Sequence, residues 1–515
     1  MSSTASAEAM AITPQPLQGM RLAAAAFALG LANFVVVLDT TVANVAVPHI
    51  AGGLAASATQ GTWVITSYAV ADAIAVPLTG WLAMRFGTVR WFLFSIIGFG
   101  LFSLLCGLAQ SIEQLLAFRV LQGFAGGPLM PLSQILLMQI FPKEKAGAGL
   151  GIWAMTTTTA PILGPILGGT LSDNWSWPWI FFINLPVVAI VVMGCLAFMK
   201  PFETRRIKAR IDVIGLILLV LSVGSFQIMI DEGRLQDWFS SNLIIVLAIV
   251  AAISFAAFAL WELTASNPVV DLRVFRHRGF TFAALAMSLG FAAFFSQVVL
   301  TPLWLQQTAG YTATHAGYVV GWLGFFAVLT SPIAAGLIGK VDPRLTISIG
   351  LLWMAFVSTL RADWNTDVGY WTLVMPHLLH GLGMSLFFVG LSALAVSSVP
   401  EREQTSAAGL LSFLRTLASA IGTAVAMTAW DWQGRTSRSE LTASLNDPEG
   451  AMSLLQQAGL SFEQARVALE QLVEVQAATL GVLNLSMAAA VGFVLAAIAV
   501  WLAPKPRSVT LGSGH

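Results

Sequence analysis

The segment Ala160–Gly169 reads APILGPILGG and sits inside an otherwise continuous apolar run, with two prolines and three glycines in ten residues. In water such a stretch would be punctuation between elements, because proline lacks a backbone donor and glycine gives up the most freedom on ordering. A bilayer changes the reading. There a helix tolerates proline when its neighbours satisfy the freed carbonyl, and small residues four apart let helices approach closely. Gly164 and Gly168 are four apart, as are Gly123 and Gly127, and Gly169 adds a further small residue. Pro161 and Pro165 then bend a packed helix, so the segment reads as a hinge; generic enrichment of glycine and proline in membrane helices is the plainer alternative.

Composition decides which solvent applies. The chain is 57% hydrophobic and only 10% charged, with mean hydropathy +0.81, where a soluble domain carries about 25% charged residues. This is a membrane protein. Twenty-five basic against twenty-five acidic residues and no long basic run give no footing for a nucleic-acid partner. Cys106 and Cys195 have no metal-type spacing, no GxxxxGK[ST] loop is present for a nucleotide, and no nucleophile–base pair or HExxH motif suggests an enzyme. No cofactor is implied.

A helix needs about 20 apolar residues to cross the hydrocarbon core. Fourteen such spans can be marked off, at 22–46, 62–84, 91–110, 114–139, 146–170, 178–199, 211–230, 242–263, 280–301, 313–338, 345–361, 371–396, 405–430 and 479–503. The fold class is therefore all-α. Residues 1–20 read as a cytoplasmic tail before a retained first span, and 505–515 as a second tail. With both termini inside, 18 Lys and Arg fall on inner loops and five outside (Arg234, Arg361, Arg435, Arg438 and Arg466), as the positive-inside rule expects. The long connection 431–478 then faces outward. Its Ser461–Gln464 resembles a capping box, and Phe462, Ala465, Leu469, Leu472, Val473 and Gln476 recur at helical spacing, which predicts a short amphipathic helix on the membrane, over the bundle, or docking a partner.

The halves repeat. LLAFRVLQGFAGG (115–127) aligns with LVMPHLLHGLGMS (373–385), setting Arg119 against His377, Gln122 against His380 and Gly123 against Gly381. The loop GWLAMRFGTVR (80–90) has a counterpart in GLIGKVDPRLT (336–346). Spans one to six (21–199) thus match spans nine to fourteen (279–504), and the region 200–278 inserts two extra spans. Two pseudo-equivalent bundles imply a central cavity and rocking of one against the other.

A charge at the centre of a span costs roughly 2.5–3.5 kcal/mol and needs a partner, water or a function, and four residues are singled out on that ground. Asp39 lies in the outer part of span one, either pinning the following VANVAVP turn with Thr40, Thr41 and Asn44 or carrying a proton. Asp72 lies in span two, Arg119 in the inner half of span four and Arg415 in span thirteen. Arg119 stays charged at any attainable pH, so it can tune a carboxylate but not carry the proton. Asp39 and Arg119 are expected to line a wet passage. Arg415 could attract anionic compounds or pair across the cavity. Gln122 joins the polar lining, and His377 and His380, on one helix face, read as lining, a proton relay or a metal pair.

LDTTVANVAVP (38–48), QGTWVITSYAVADAIAVPLTGWLA (60–83), RVLQGFAGGPLMPLSQ (119–134), PILGPILGG (161–169), WIFFINLPV (179–187) and FLRTLASAIGT (413–423) together resemble the fourteen-span drug:proton antiporters of the major facilitator superfamily. That resemblance implies a major facilitator fold with two inserted helices, and export of hydrophobic or amphipathic small molecules across a bacterial inner membrane, driven by protons. A facilitative or proton-symport uptake carrier of the same fold is the alternative. It further implies proton coupling through Asp39, Asp72 and Arg119, an antiporter motif in span five, and a cytoplasmic gate at Gly80, Arg85, Gly87 and Arg90. The partners it implies are a periplasmic membrane-fusion adaptor and an outer-membrane channel. Met84 stands where the family's gate has Asp, so the gate's acidic half is absent or supplied elsewhere.

Overall fold

In a computed structural model that describes residues 15–142, 146–204, 206, 212–266, 268–337, 340–400, 403–443 and 447–505, the apolar runs are helices. Lys143, Lys145, Arg205, Lys208, Arg210, Arg402 and Arg507 of the basic loops, and most of both tails, lie outside the described residues. The first half comprises α1 (Gly19–Gly53), α2 (Ala58–Phe86), α3 (Thr88–Gly107), α4 (Ile112–Gly126), α5 (Leu129–Ile140), α6 (Ala146–Asn174), α7 (Trp179–Phe182) and α8 (Asn184–Phe198). Helices α9 (Val213–Gly233) and α10 (Asn242–Thr264) follow. The second half comprises α11 (Arg278–Gln307), α12 (Ala313–Leu337), α13 (Pro343–Thr359), α14 (Tyr370–Ser397), α15 (Gln404–Ala443), α16 (Pro448–Gln457) and α17 (Phe462–Trp501). Span four is the pair α4 and α5, and span six the pair α7 and α8.

Thirteen of these helical segments are long and apolar enough to cross a membrane. The remaining expected span is α6, a 29-residue helix that runs through APILGPILGG; the side chains of Pro161 and Pro165 lie outside the described ones. Helix starts are set locally. Ser57 Oγ accepts from Gln60 N while Gln60 Oε1 accepts from Ser57 N, and Ser461 and Gln464 form the same reciprocal box.

The packing scheme repeats. Helix α1 packs on α6 and α8, α2 on α4, and α3 on α4 and α8; correspondingly α11 packs on α15 and α17, α12 on α14, and α13 on α14 and α17. Helices α9 and α10 pack on each other, with α9 against α2 and α15, and the bundles meet along α6–α12 and α2–α15. The fold is two six-helix bundles with two inserted helices. Glycines set the closest approaches: a β-carbon on Gly123 would lie 2.5 Å from Tyr68 O, and one on Gly381 would collide with Leu323 O. One on Gly164 would collide with Thr41, and one on Gly168 would lie 2.7 Å from Val42 O.

Four expectations need correction. No turn follows Asp39, because α1 continues as helix through Pro48 to Gly53. In the outward connection, the helix predicted from Ser461 is not a separate short one. Instead α15 and α17 run on as 40-residue helices joined through α16, since the box at Ser461 starts a helix that nothing breaks before the membrane span. Arg119 lies in the same half as the α1–α2 connection, the half read as outer, because α4 begins only at Ile112 and Arg119 meets Asp39. Arg361, counted as an outer-loop charge, is buried at 2% exposure in a 3-10 turn after α13.

Candidate functional site

Between the bundles lies a cavity of ≈ 230 Å³. Helix α1 contributes Thr40 and Thr41, α2 Asp72, α5 Met130, α11 Phe291, Phe294 and Phe295, α14 Phe388, and α15 Arg415. The two bundles thus bring one charge each to a largely aromatic chamber. Arg415 is 5% exposed, with its guanidinium carbon 5.1 Å from the Trp153 ring and 5.8 Å from Phe291, and it contacts Met130 Sδ. Aromatic faces offset part of the cost of burying a cation. No ion pair between Arg415 and Asp72 is formed among the described residues.

The second polar centre is sealed inside the N-terminal bundle. Arg119 Nη1 donates to Asp39 Oδ2 at 2.6 Å and to Gln122 Oε1 at 2.9 Å, while its Nε donates to Val64 O at 3.1 Å. Asp39 Oδ1 accepts from Gln122 Nε2 at 3.1 Å and from Asn184 Nδ2 at 2.7 Å; Asn184 also donates to Ser103 Oγ. The guanidinium lies 4.2 Å from the Tyr68 ring centre. A buried ion pair survives only when such bonds occupy its remaining donors and acceptors. At 2% and 1% exposure Asp39 and Arg119 do not line a wet passage in this structure, which corrects that expectation. Thr40 and Thr41 turn their hydroxyls to Val37 O and Leu38 O and line the cavity, whose lining includes neither member of the pair.

The structure brings Asp39, Arg119 and Gln122 together, puts Asp72 and Arg415 on the cavity, and separates both groups from His377 and His380. The two histidines are 2% and 1% exposed and lie behind the cavity wall, His380 packing 5.8 Å from Phe294. Sequence reasoning missed Asn184 and Ser103. Asn184 stands alone among apolar residues in WIFFINLPV, and that isolation was the available signal.

At the α2–α3 junction Gly87 adopts φ +94°, a conformation that favours glycine. Glu203 from beyond α8 fills the space against it, accepting from Val89 N and Arg90 N at 3.2 Å each, with Arg90 Nε 3.6 Å away. Glu203 thus brings an acidic side chain to a loop that has Met84 where the resembled family has Asp. Arg85 stacks 5.5 Å from Trp81 and 5.9 Å from Phe86. A β-carbon on Gly80 would lie 3.4 Å from Ser406 at the start of α15, so this end of α2 meets the other bundle. At the opposite end, one on Gly169 would lie 3.5 Å from Thr314 Oγ1 of α12.

Comparison with known proteins places this geometry. Residues 29–423 match the family model described as Major Facilitator Superfamily. The chain is 44% identical to "Multidrug export protein EmrB" of Haemophilus influenzae, over 95% of this chain and 97% of that one. It is 40% identical both to the Escherichia coli K12 protein of that name and to "Fatty acid resistance protein FarB" of Neisseria gonorrhoeae, each over 97% of this chain and 99% of theirs. Among solved structures it resembles a peptide transporter POT (TM-score 0.60, 14% identity, 95% of this chain and 97% of that one). It also resembles the human organic anion transporter MFSD10 (TM-score 0.57, 14% identity, 94% and 100%). At such identities these two speak to the fold alone. With two matching bundles, a cavity between them and a family match over most of its length, the chain belongs to the major facilitator superfamily.

Proposed function

We propose that this protein is a multidrug exporter, moving hydrophobic or amphipathic compounds out of the cytoplasm or inner leaflet of a bacterial inner membrane in exchange for protons. The observation that carries the reading is the aromatic cavity at the bundle interface, with Asp72 and Arg415 on its walls and a buried Asp39–Arg119 pair whose carboxylate directly precedes Thr40 and Thr41 in α1. Near full-length similarity to proteins named for multidrug export supports it.

Aromatic walls accept apolar bodies of many shapes, while one anion and one cation let the same chamber take substrates of either charge. Protons enter through a carboxylate, since Arg119 cannot release one. A proton on Asp39 removes the counter-charge of Arg119 and weakens the bonds that tie α1 to α4 and α8. Restoring the pair needs either deprotonation or a rearrangement of α1, which also forms the cavity wall. One proton crossing down the potential contributes about 2.3 kcal/mol per 100 mV, sufficient to concentrate substrate.

In this reading both termini are cytoplasmic, Gly80, Arg85, Gly87 and Arg90 form the inner gate, and α6 seals the outward half through Gly164 and Gly168. The hairpin of α15, α16 and α17 projects into the periplasm, where the exposed Leu454, Phe462 and Leu472 suit a membrane-fusion adaptor leading to an outer-membrane channel. Purified protein in liposomes tests the exchange: an imposed pH gradient should drive uphill drug movement that collapses with an uncoupler. Drug movement insensitive to the uncoupler, and only down its own gradient, would identify a facilitative carrier instead.

A further inference from the structure

The C-terminal bundle buries a cation as deeply as the N-terminal bundle does, but without a counter-charge. Arg361 is 2% exposed, and its Nε and Nη1 have no hydrogen-bond partner among the described residues. No described carboxylate forms an ion pair with it; Asp363, two residues on, is exposed. The same bundle buries further unpartnered polar atoms: Nε2 of His377, both ring nitrogens of His380, and Oε1 of Gln297. The Arg361 guanidinium sits 5.4 Å from the Trp364 ring, and Trp364 stacks on His377 at 5.9 Å, so one indole joins the cation to the histidine pair. His380, one helical turn on from His377, packs between Phe294 and Phe493.

The repeat explains what is missing. Helix α11 packs in the second bundle as α1 does in the first, and it carries the buried Gln297 but no carboxylate. Gln297 is buried and donates to Ser358 Oγ of α13 at 2.8 Å, much as Asp39 reaches Ser103 of α3 through Asn184. The buried polar group on α11 is thus a neutral amide, where α1 carries a carboxylate. An arginine buried in an apolar bundle cannot lose its proton, and leaving it uncompensated is strongly unfavourable.

We propose that Arg361 holds one small inorganic anion of chloride size inside the C-terminal bundle, with His380 supplying a further N–H, where the N-terminal bundle uses its own carboxylate. His377 Nδ1 faces Leu373 O at 2.9 Å and so carries its proton there, which leaves His380 as the ring with an uncommitted donor. This inference concerns binding and does not depend on what the protein transports.

The test is the thermal midpoint of the full-length protein in detergent, in sodium chloride against sodium gluconate at equal ionic strength. Gluconate is too large to enter a closed bundle. Wild type should gain about 2–5 °C saturably with chloride; Arg361→Gln should lose that dependence, and Arg361→Lys should keep it with a weaker midpoint. Equal wild-type midpoints in the two salts, or an undiminished chloride shift in Arg361→Gln, would overturn the proposal. Should Arg361→Gln fail to fold, radiolabelled chloride bound to wild type decides: one ion per chain, displaced by bromide and not by gluconate, is expected, and binding at background level contradicts it.

Discussion

Arg119 and Arg361 stand in the two halves of one repeat, each almost wholly excluded from solvent, yet their surroundings differ. Arg119 is met by Asp39, Gln122 and Val64 O. Arg361 lies against the Trp364 indole, which stacks on His377, and forms no ion pair among the described residues. The backbones repeat because helix packing depends on small residues and apolar faces, which both halves keep. The charges do not repeat. Under the proposed exchange, only the N-terminal cation has a carboxylate through which protons could act on it, and the C-terminal cation would be balanced by the inferred anion.

The sharpest way to break this comparison is Asp39→Asn. It strands Arg119 as Arg361 would be stranded without its anion, and should cost about 3–5 kcal/mol of stability and abolish proton-coupled transport. Adding Arg119→Gln should recover most of the stability, read as a denaturation midpoint, while transport stays lost. Recovered coupling in the double variant would remove the pair from the mechanism.

Next in size are the matched glycines. Gly123→Ala and Gly381→Ala each push a methyl into a facing carbonyl and should cost about 1–3 kcal/mol, by similar amounts, since the same helix contact is repeated. A large effect at one and none at the other would show that the bundles differ in packing as well as charge. Across the cavity, Arg415→Gln should raise the KM for an anionic amphiphile about 10-fold, the loss of one charge-assisted bond, with little change for a neutral one. Equal changes for both would make Arg415 a packing residue.

The smallest expected effects lie at the repeated loops. The first is capped from a distance by Glu203, the second by its own Asp342, which Arg344 holds below the usual carboxylate range mainly through side-chain hydrogen bonds. A carboxylate lowered on folding stabilises above its unfolded value and loses that contribution as pH falls through the lowered one. Asp342→Asn should therefore cost about 0.5–1 kcal/mol at neutral pH and nothing in strong acid, as seen in midpoints taken along a pH series. Glu203→Gln should cost a similar amount and loosen Arg90.

Much of the fold was legible because a bilayer permits so few solutions: apolar length marked the spans, and Gly123, Gly127, Gly164 and Gly168 marked where helices touch. The repeat was visible for the same reason, since LLAFRVLQGFAGG and LVMPHLLHGLGMS keep their small residues in register. Helix ends were less so. Nothing in the sequence around 431–478 says that α15 and α17 continue past the membrane, because a capping box marks a start and not a length. The Asp39–Arg119 pair joins residues 80 apart in sequence, and spacing alone gives no account of such meetings. Arg361 was misread because it follows the last apolar residue of its span; its burial comes from Trp364 and the turn that folds it back.

The most direct test of the account is proton release from detergent-purified protein when a transported drug is added, compared between wild type and Asp39→Asn. Wild type should release protons on drug addition in a weakly buffered solution, and the variant should release none while still binding drug. Equal release from both would contradict the assignment of the buried carboxylate as the site where protons and substrate are coupled.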